Sequence, residues 1–280
     1  MDRAGRQYWN ALWTATEVSS PVDPRDLRLD NYVDRSFHQL FSQLLPTAPP
    51  HCSLLEVGCA RSRWLPYFSR EFGCDVTGLD YSPDGCEQAR RMLQKAGVAG
   101  RVFEADMFEP PPTLVGRFDV VTSFGLVEHF DATSEAVHAL ATYLRPGGLL
   151  ITSIPNMSGM VGVIQRLVDS DVYRIHNPLT RDDLWRAHGL AGLKVQSAHY
   201  FLAFNWSVIN VAGWSNVRRR ITFNRWQSRL TKVLWILEGW GMRVPNNRWT
   251  SPYIVCVATT PGHEKFEAEQ SCDVRESPHD

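Results

Sequence analysis

No stretch of the 280 residues approaches the run of about 18 uninterrupted apolar residues that a membrane-crossing helix needs. The opening segment, MDRAGRQYWNALWTATEVSS, mixes polar and aromatic side chains without an apolar centre, so neither a secretory leader nor a membrane anchor is expected there. Charge of one sign is equally lacking. The 29 Lys and Arg stand against 30 Asp and Glu, a formal net charge of −1. That balance argues against a nucleic-acid partner held by bulk positive potential. Cysteine is sparse: Cys52, Cys59, Cys74, Cys86, Cys256 and Cys272 form no C-x-x-C pair and no dense framework. Thiols so scattered suit a reducing compartment, and the cytoplasm is the expected location. Paired Cys or His at short spacing are missing too, so no metal site is expected. There are no internal repeats.

What is present is enough apolar surface for a core. With 44% hydrophobic and 21% charged residues, a wholly disordered chain is excluded, and the length suits one large domain carrying a lid. Residues 1–50 read as a helical lid. Val33, Phe37, Leu40, Phe41 and Leu44 recur at helical spacing before Thr47-Ala48-Pro49-Pro50 breaks the pattern. From Ser53 the rhythm changes. Strands are expected over Ser53–Val57, Asp75–Asp80, Val102–Asp106, Phe118–Ser123 and Leu149–Ile154. Helices are expected over Trp64–Phe72, from Pro83 to Gly97 and over Ser134–Leu144, the last followed by an Arg145-Pro146-Gly147-Gly148 turn. Such alternation predicts an α/β fold, a mostly parallel sheet covered by helices on both faces. Right-handed crossovers then bring the C-terminal ends of the strands to one rim, where such sheets bind ligands.

Beyond Asn156 the alternation loosens, with a helix over Thr180–His188 and strands over Leu193–Phe201 and Tyr253–Ala258. Between those two strands, residues 203–250 hold six of the ten Trp and eight basic side chains against one acid, Glu238. Residues 51–262 are taken as the main domain and 263–280 as a disordered polar tail.

Three acids, Glu56, Asp80 and Asp106, fall at or near the ends of the first three strands. A carboxylate past the second strand can accept from both hydroxyls of a ribose, and Asp80 lies 22 residues beyond Gly58, close to the spacing for that partnership. Asp106 could accept an exocyclic amine, with Met107 against the ring. Glu56 could hold the turn or a ligand's amine. The loop Gly58-Cys59-Ala60-Arg61-Ser62-Arg63 lacks the second and third glycines of a dinucleotide fingerprint and the Lys-Ser/Thr of a P-loop, so it suits neither NAD nor a nucleoside triphosphate.

Leu54-Leu55-Glu56-Val57-Gly58-Cys59, Gly78-Leu79-Asp80-Tyr81-Ser82, Ala105-Asp106-Met107, Phe118-Asp119-Val120-Val121 and Leu144-Arg145-Pro146-Gly147-Gly148 together resemble the ordered motifs of class I S-adenosylmethionine-dependent methyltransferases. The flavour is that of the small-molecule group that includes the ubiquinone-biosynthesis O-methyltransferases. The resemblance implies a Rossmann-like sheet of seven strands with the last antiparallel, S-adenosylmethionine as cofactor and S-adenosylhomocysteine as product. It places the Gly58 and Cys59 loop against the methionine part, Asp80 with Tyr81 and Ser82 at the ribose, Asp106 and Met107 at the adenine, and Ser123, Phe124 and Gly125 beneath the sulfonium. Ala60 and Ser62 depart from the family's E-x-G-x-G-x-G, and Arg61 faces either a carboxylate or solvent.

For methyl transfer to oxygen, the best candidate base is His129 in Leu126-Val127-Glu128-His129-Phe130, with Glu128 to orient it; the resembled group often carries such a pair. Tyr8, Trp9 and Trp13, with Arg61, His176 and Trp206, are expected to line the pocket for a small, partly apolar, partly anionic acceptor. A second reading starts from Arg225, Arg229 and Lys232 beside Leu230, Val233, Leu234 and Leu237. These give residues 217–240 the look of a basic amphipathic helix for an anionic membrane surface carrying a lipid or quinone acceptor. A third makes that helix a core or homodimer face of a cofactor-binding regulator.

Overall fold

Along each strand, successive side chains enter two different cores. Leu54 and Val120 pack on one face of the sheet, Leu55 and Val121 on the other, which is the period of two that a doubly covered sheet requires. The structure is a computed structural model that describes residues 2–14, 20–45, 52–211, 213–242 and 244–262. The Thr47–Pro50 breaker and the tail 263–280 lie outside the described residues.

The elements are α1 (Arg6–Thr14), α2 (Tyr32–Leu44), β1 (Ser53–Val57), α3 (Trp64–Phe72), β2 (Asp75–Asp80) and α4 (Pro83–Ala96). Then come β3 (Gly100–Glu104), β4 (Phe118–Phe124), α5 (Thr133–Ala141), β5 (Leu144–Pro155), α6 (Met160–Val168) and α7 (Ser170–Arg174). The chain closes with α8 (Arg181–Leu190), β6 (Lys194–Phe201), α9 (Val217–Gly239) and β7 (Tyr253–Thr259). The strands form one sheet in the order β3-β2-β1-β4-β5-β7-β6. Neighbours are parallel through β5, and β7 runs antiparallel to both β5 and β6. The expected Rossmann-like sheet with an antiparallel last strand is the one observed.

Local chemistry explains most boundaries. Gly73 and Gly97 end α3 and α4 in the left-handed conformation, at φ 65° and 64°, where a side chain would strain the backbone. The Ser82 hydroxyl accepts the Gly85 N–H at the start of α4, and Pro83 occupies the first turn. Thr180 and Asp183 form a reciprocal capping box on α8. Two expectations shift. The third strand ends at Glu104, placing Asp106 in the turn beyond it. Arg145–Gly148 is not a separate turn: β5 begins at Leu144, and a register shift between Phe118 and Val120 of β4 absorbs the extra residues. The helices α6 and α7 lie where the sequence rhythm had loosened.

Phe37 and Phe41 of α2, Leu65 and Phe68 of α3, and Ala89 and Leu93 of α4 cover one face; α5 and α8 cover the other through Val137, Leu140, Leu184 and Ala187. At the second face, His188 is fully buried. Its Nδ1–H donates to Leu184 O at 2.8 Å and its Nε2 accepts the Thr152 hydroxyl at 3.0 Å, so the neutral ring is satisfied. Burial pulls its pKa from 6.5 down to about 4. The unfolded chain therefore takes up this proton first as pH falls. The contribution is complete above pH 6.5 and is lost towards pH 4, on the order of 3 kcal/mol. In urea unfolding across that window, His188→Gln should show a dependence on pH shallower by one proton; an unchanged slope would remove His188 from the account.

Candidate active site at the strand ends

The register fixes what the rim presents. Val57 at the end of β1 lies between Leu79 of β2 and Ser123 of β4, and Asp80 pairs with Glu104 of β3. Asp106, Asp80, the Gly58 loop and Ser123–Gly125 therefore follow one another across neighbouring strand ends. Gly58 turns the chain at φ 78°, and its N–H donates to Leu79 O at 2.8 Å. That turn aims the Ala60 N–H at Asp80 Oδ2, 3.0 Å away, while Ser82 N–H reaches Asp80 Oδ1 at 2.8 Å. Burial raises the Asp80 carboxyl to about 6, against these backbone donors, which hold it down.

Glu56 is buried one layer deeper. It accepts the Ser62 hydroxyl, which in turn accepts the N–H groups of Trp64 and Leu65 at the start of α3. Burial, with Asp80 nearby, pushes its carboxyl up to about 8, with Ser62 opposing. Glu56 thus anchors the loop. Arg61, between the two positions (Ala60 and Ser62) where the resembled pattern has glycines, takes a left-handed φ of 58°. Its guanidinium lies 5.7 Å from the Trp13 ring, half-buried, with Nε buried and unbonded. Ser123 Oγ is likewise buried and unbonded.

Several expected cofactor contacts are narrowed by the structure. The Cys59 side chain packs into the core: a Cβ on Gly78 would sit 2.6 Å from its sulfur. Only its backbone faces the loop. The Ser82 hydroxyl is engaged by Gly85 N–H and donates to Asn10 Oδ1 at 2.6 Å. The Phe124 ring turns inward to stack on Trp64, 5.5 Å away. Gly125 remains at the rim beside the Glu128 carboxylate. Met107 is buried, while Asp106 is exposed and accepts the Phe108 N–H at 3.0 Å.

The N-terminal segment lies over this rim. Tyr81 OH donates to Asp2 at 2.9 Å, Gln88 donates to Trp13 O, and Arg6 covers the Tyr81 ring. Arg3 donates to Asp131 and to His176 O. Sequence reasoning grouped Tyr8, Trp9 and Trp13 as one roof of the acceptor pocket, and the structure separates them. Trp13 packs against the Gly58 loop at Arg61, Trp9 stacks on Trp13 and meets the His129 ring edge-on at 4.9 Å, and Tyr8 faces a cavity. Asp2, Arg3 and Asn10 were missed because single polar residues in an aperiodic segment carry no sequence signal.

Glu128 and His129 sit in a 3-10 turn after β4, both almost completely buried. His129 Nδ1 lies 2.8 Å from Ile175 O, and the His176 ring is 4.6 Å away. Burial, then His176, lowers His129 to about 3; burial alone raises Glu128 to about 8. Among the described residues, donor atoms of Glu128, His129 and His176 lie within 4.8 Å of one another. The expectation of no metal site rested on short spacing and did not see this convergence.

Val172 and Ile175, whose carbonyls hold the His176 and His129 rings, line a cavity of about 1080 Å³ together with Tyr8, Asp169, Asp171, Val208, Ile209 and Arg220. Residues 203–250 thus contribute its wall. Trp206 does not: it packs with Trp226 and the α6 cluster.

A methyltransferase domain model matches residues 29–198. The chain belongs to the methyltransferase domain family. Its cofactor is S-adenosylmethionine, and the rim described above fits one: a buried carboxylate at the end of the second strand, a tight glycine turn beside it and unbonded buried polar atoms on either side. The ubiquinone biosynthesis O-methyltransferase of Erwinia tasmaniensis is 32% identical over 103 residues, 37% of this chain and 42% of that one. The methyltransferase thus spans less than half the length of that curated relative. Among solved structures, the geranyl diphosphate C-methyltransferase of Streptomyces coelicolor is similar at a TM-score of 0.52 and 16% identity, covering 91% of this chain and 96% of that one. The [4+2]-cyclase SpnF is similar at 0.59 and 12%, covering 94% and 97%. At these identities the likeness is one of fold.

Proposed function

We propose that this methyltransferase transfers the cofactor's methyl group to an oxygen of a small, partly apolar, partly anionic metabolite. The observation that carries the reading is the buried Glu128–His129 turn at the end of β4, where His129 is hydrogen-bonded to Ile175, a residue in the wall of the 1080 Å³ cavity. The bound sulfonium supplies an activated methyl and a neutral leaving group. The chain's own task is alignment, which contributes several of the roughly 7–11 kcal/mol available to well-oriented reactants.

Asp80 holds the ribose, Asp106 with the Met107 backbone reads the adenine, and Arg61 meets the methionine carboxylate, a partner that satisfies its buried Nε. His129 donates its Nδ1–H to the Ile175 carbonyl, so Nε2 carries the lone pair and can take the acceptor's hydroxyl proton. Glu128, 3.7 Å from Nε2, is kept neutral by its burial and orients the ring. Tyr8 and the apolar wall of the cavity receive the acceptor body, with Arg220, Asp169 and Asp171 as its charged lining. The support for oxygen is the O-methyltransferase relative together with a base at this position. Calorimetric titration with S-adenosylmethionine and, separately, NAD tests the cofactor assignment, and isotope transfer to phenols and apolar acids tests the acceptor. Binding of NAD alone would overturn both.

One observation favours a membrane-surface variant of this reading. The outward face of α9 carries Trp226, Val233 and Ile236 among exposed Arg218, Arg225 and Arg229, and Trp240, just past its end, is 82% exposed. Its one acid, Glu238, accepts the Tyr32 hydroxyl. No described helix is long and apolar enough to cross a bilayer. In vesicle sedimentation the wild type should bind anionic but not neutral lipid, and less as salt rises. Trp226→Ser with Trp240→Ser should abolish the binding. Absence of binding at low salt would retire this variant and leave the acceptor to arrive from solution.

A further inference from the structure

Cys52 and Cys74 stand 22 residues apart in the chain, and the sheet brings them together. Ser53 of β1 is in register with Asp75 of β2, and the Asp75 N–H donates to Cys52 O at 2.7 Å. The residues just before that pair therefore lie side by side at the N-terminal ends of two neighbouring parallel strands. Such strands run about 4.7–4.9 Å apart, inside the roughly 4.4–6.8 Å between Cα atoms that a disulfide spans. Both side chains enter the same core. Their thiols are in hydrogen-bond contact, and that contact holds Cys52 below the ordinary thiol range, against the opposing effect of burial.

The other described cysteines are placed differently. Cys59 lies beneath Gly78, Cys86 donates to the Asp80 and Phe103 carbonyls at 3.4 and 3.5 Å, and Cys256 belongs to the core on the opposite face. The Cys52 and Cys74 pair is closed to solvent, at 0% and 2% exposure, but only one layer deep. Gly73 and Asp75, on either side of Cys74, are both exposed. Strand ends are where a sheet opens most readily, so a brief local opening presents both thiols to a small molecule.

We propose that Cys52 and Cys74 form a reversible disulfide, a modification site that closes β1, the Gly58 loop and α3 into a covalent ring. A low-molecular-weight disulfide such as oxidised glutathione is the oxidant. The Cys52 thiolate attacks one of its sulfurs and expels a glutathione thiolate. The Cys74 thiolate then attacks the Cys52 sulfur of the mixed disulfide and expels the second. Two protein thiols become one S–S bond, oxidised glutathione is reduced to two thiols, and the two cysteine protons end on them. The tie lies at the base of the unit whose opposite end carries Gly58 and Asp80, so it restrains that unit without entering the ligand rim. It does not depend on the methyl-transfer reading.

The test is incubation of the reduced full-length protein with oxidised glutathione in dilute urea, followed by alkylation and mass spectrometry. The chain should lose about 2 Da, the two hydrogens of the thiols. Digestion that cleaves at Glu56 and Asp80 should leave Cys52 joined to Cys74, with Cys59 and Cys86 alkylated. Closing a ring of this size takes freedom from the unfolded chain, so the thermal midpoint should rise by about 5–10 °C and fall back with dithiothreitol. Cys52→Ala and Cys74→Ala should each lose both effects, while Cys256→Ala keeps them, with circular dichroism to check folding. The peptide map of the wild type stands without any variant. An unchanged mass, a cross-link through Cys59 or Cys86, or a midpoint rise that persists in Cys52→Ala would overturn the proposal.

Discussion

Asp80→Ala is expected to weaken S-adenosylmethionine binding by roughly 10²–10⁴-fold in calorimetry, with the protein still folded. The size follows from chemistry. Two ribose hydroxyls donating to one ionised carboxylate form charge-assisted bonds of about 1.5–3 kcal/mol each. The Ala60 and Ser82 N–H groups already fix both oxygens of Asp80, so the carboxylate meets the ribose without further ordering. Asp80→Asn should come close to the same loss, because an amide offers one acceptor oxygen and would turn its NH₂ towards a backbone donor. Since burial raises Asp80 to about 6, the wild type carries a further signature. Only the ionised form accepts both hydroxyls, so affinity should be constant above pH 6 and fall about tenfold per unit below it. Asp80→Ala should erase that dependence. Wild-type affinity that is flat from pH 7 to 5 would remove the ribose assignment.

His129→Ala is expected to cut turnover by about 10²–10⁴-fold, the usual worth of a positioned proton acceptor, while the dissociation constant of S-adenosylmethionine stays within a factor of two. The split arises from position. His129 sits beyond β4, whereas the groups proposed to hold ribose and adenine follow β2 and β3. His129 also packs against Trp9 and His176, so His129→Gln, which fills more of the space, is the companion variant. It should retain stability without regaining turnover. Unchanged turnover in either variant would clear His129 of the chemistry. A large loss of cofactor affinity would instead mark it as support for the Trp9–Trp13 cover.

The contrast between neighbouring rim residues shows where sequence reasoning stops. Asp80 and Cys59 were equally visible as motif positions, yet one faces the ligand rim and the other lies beneath Gly78 in the core. Ser82 and Phe124 are similar cases: the first is spent on the α4 cap and on Asn10, the second on the aromatic stack with Trp64. A motif fixes backbone position, but the direction of a side chain depends on what packs opposite it.

By itself, the sequence determined the βαβ alternation, the helix boundaries at Pro83, Gly73 and Gly97, the antiparallel last strand implied by the family likeness, and the three acids near the strand ends. All of these depend on periodicity and capping, which act over a few residues along the chain. Only the tertiary structure decided which partners meet. It drew Asp2 and Asn10 over Tyr81 and Ser82, turned part of residues 203–250 into a cavity wall, and brought His176 beside Glu128 and His129. Those pairings join residues far apart in the chain. They arise where crossing elements bury shared surface, and no local pattern records that.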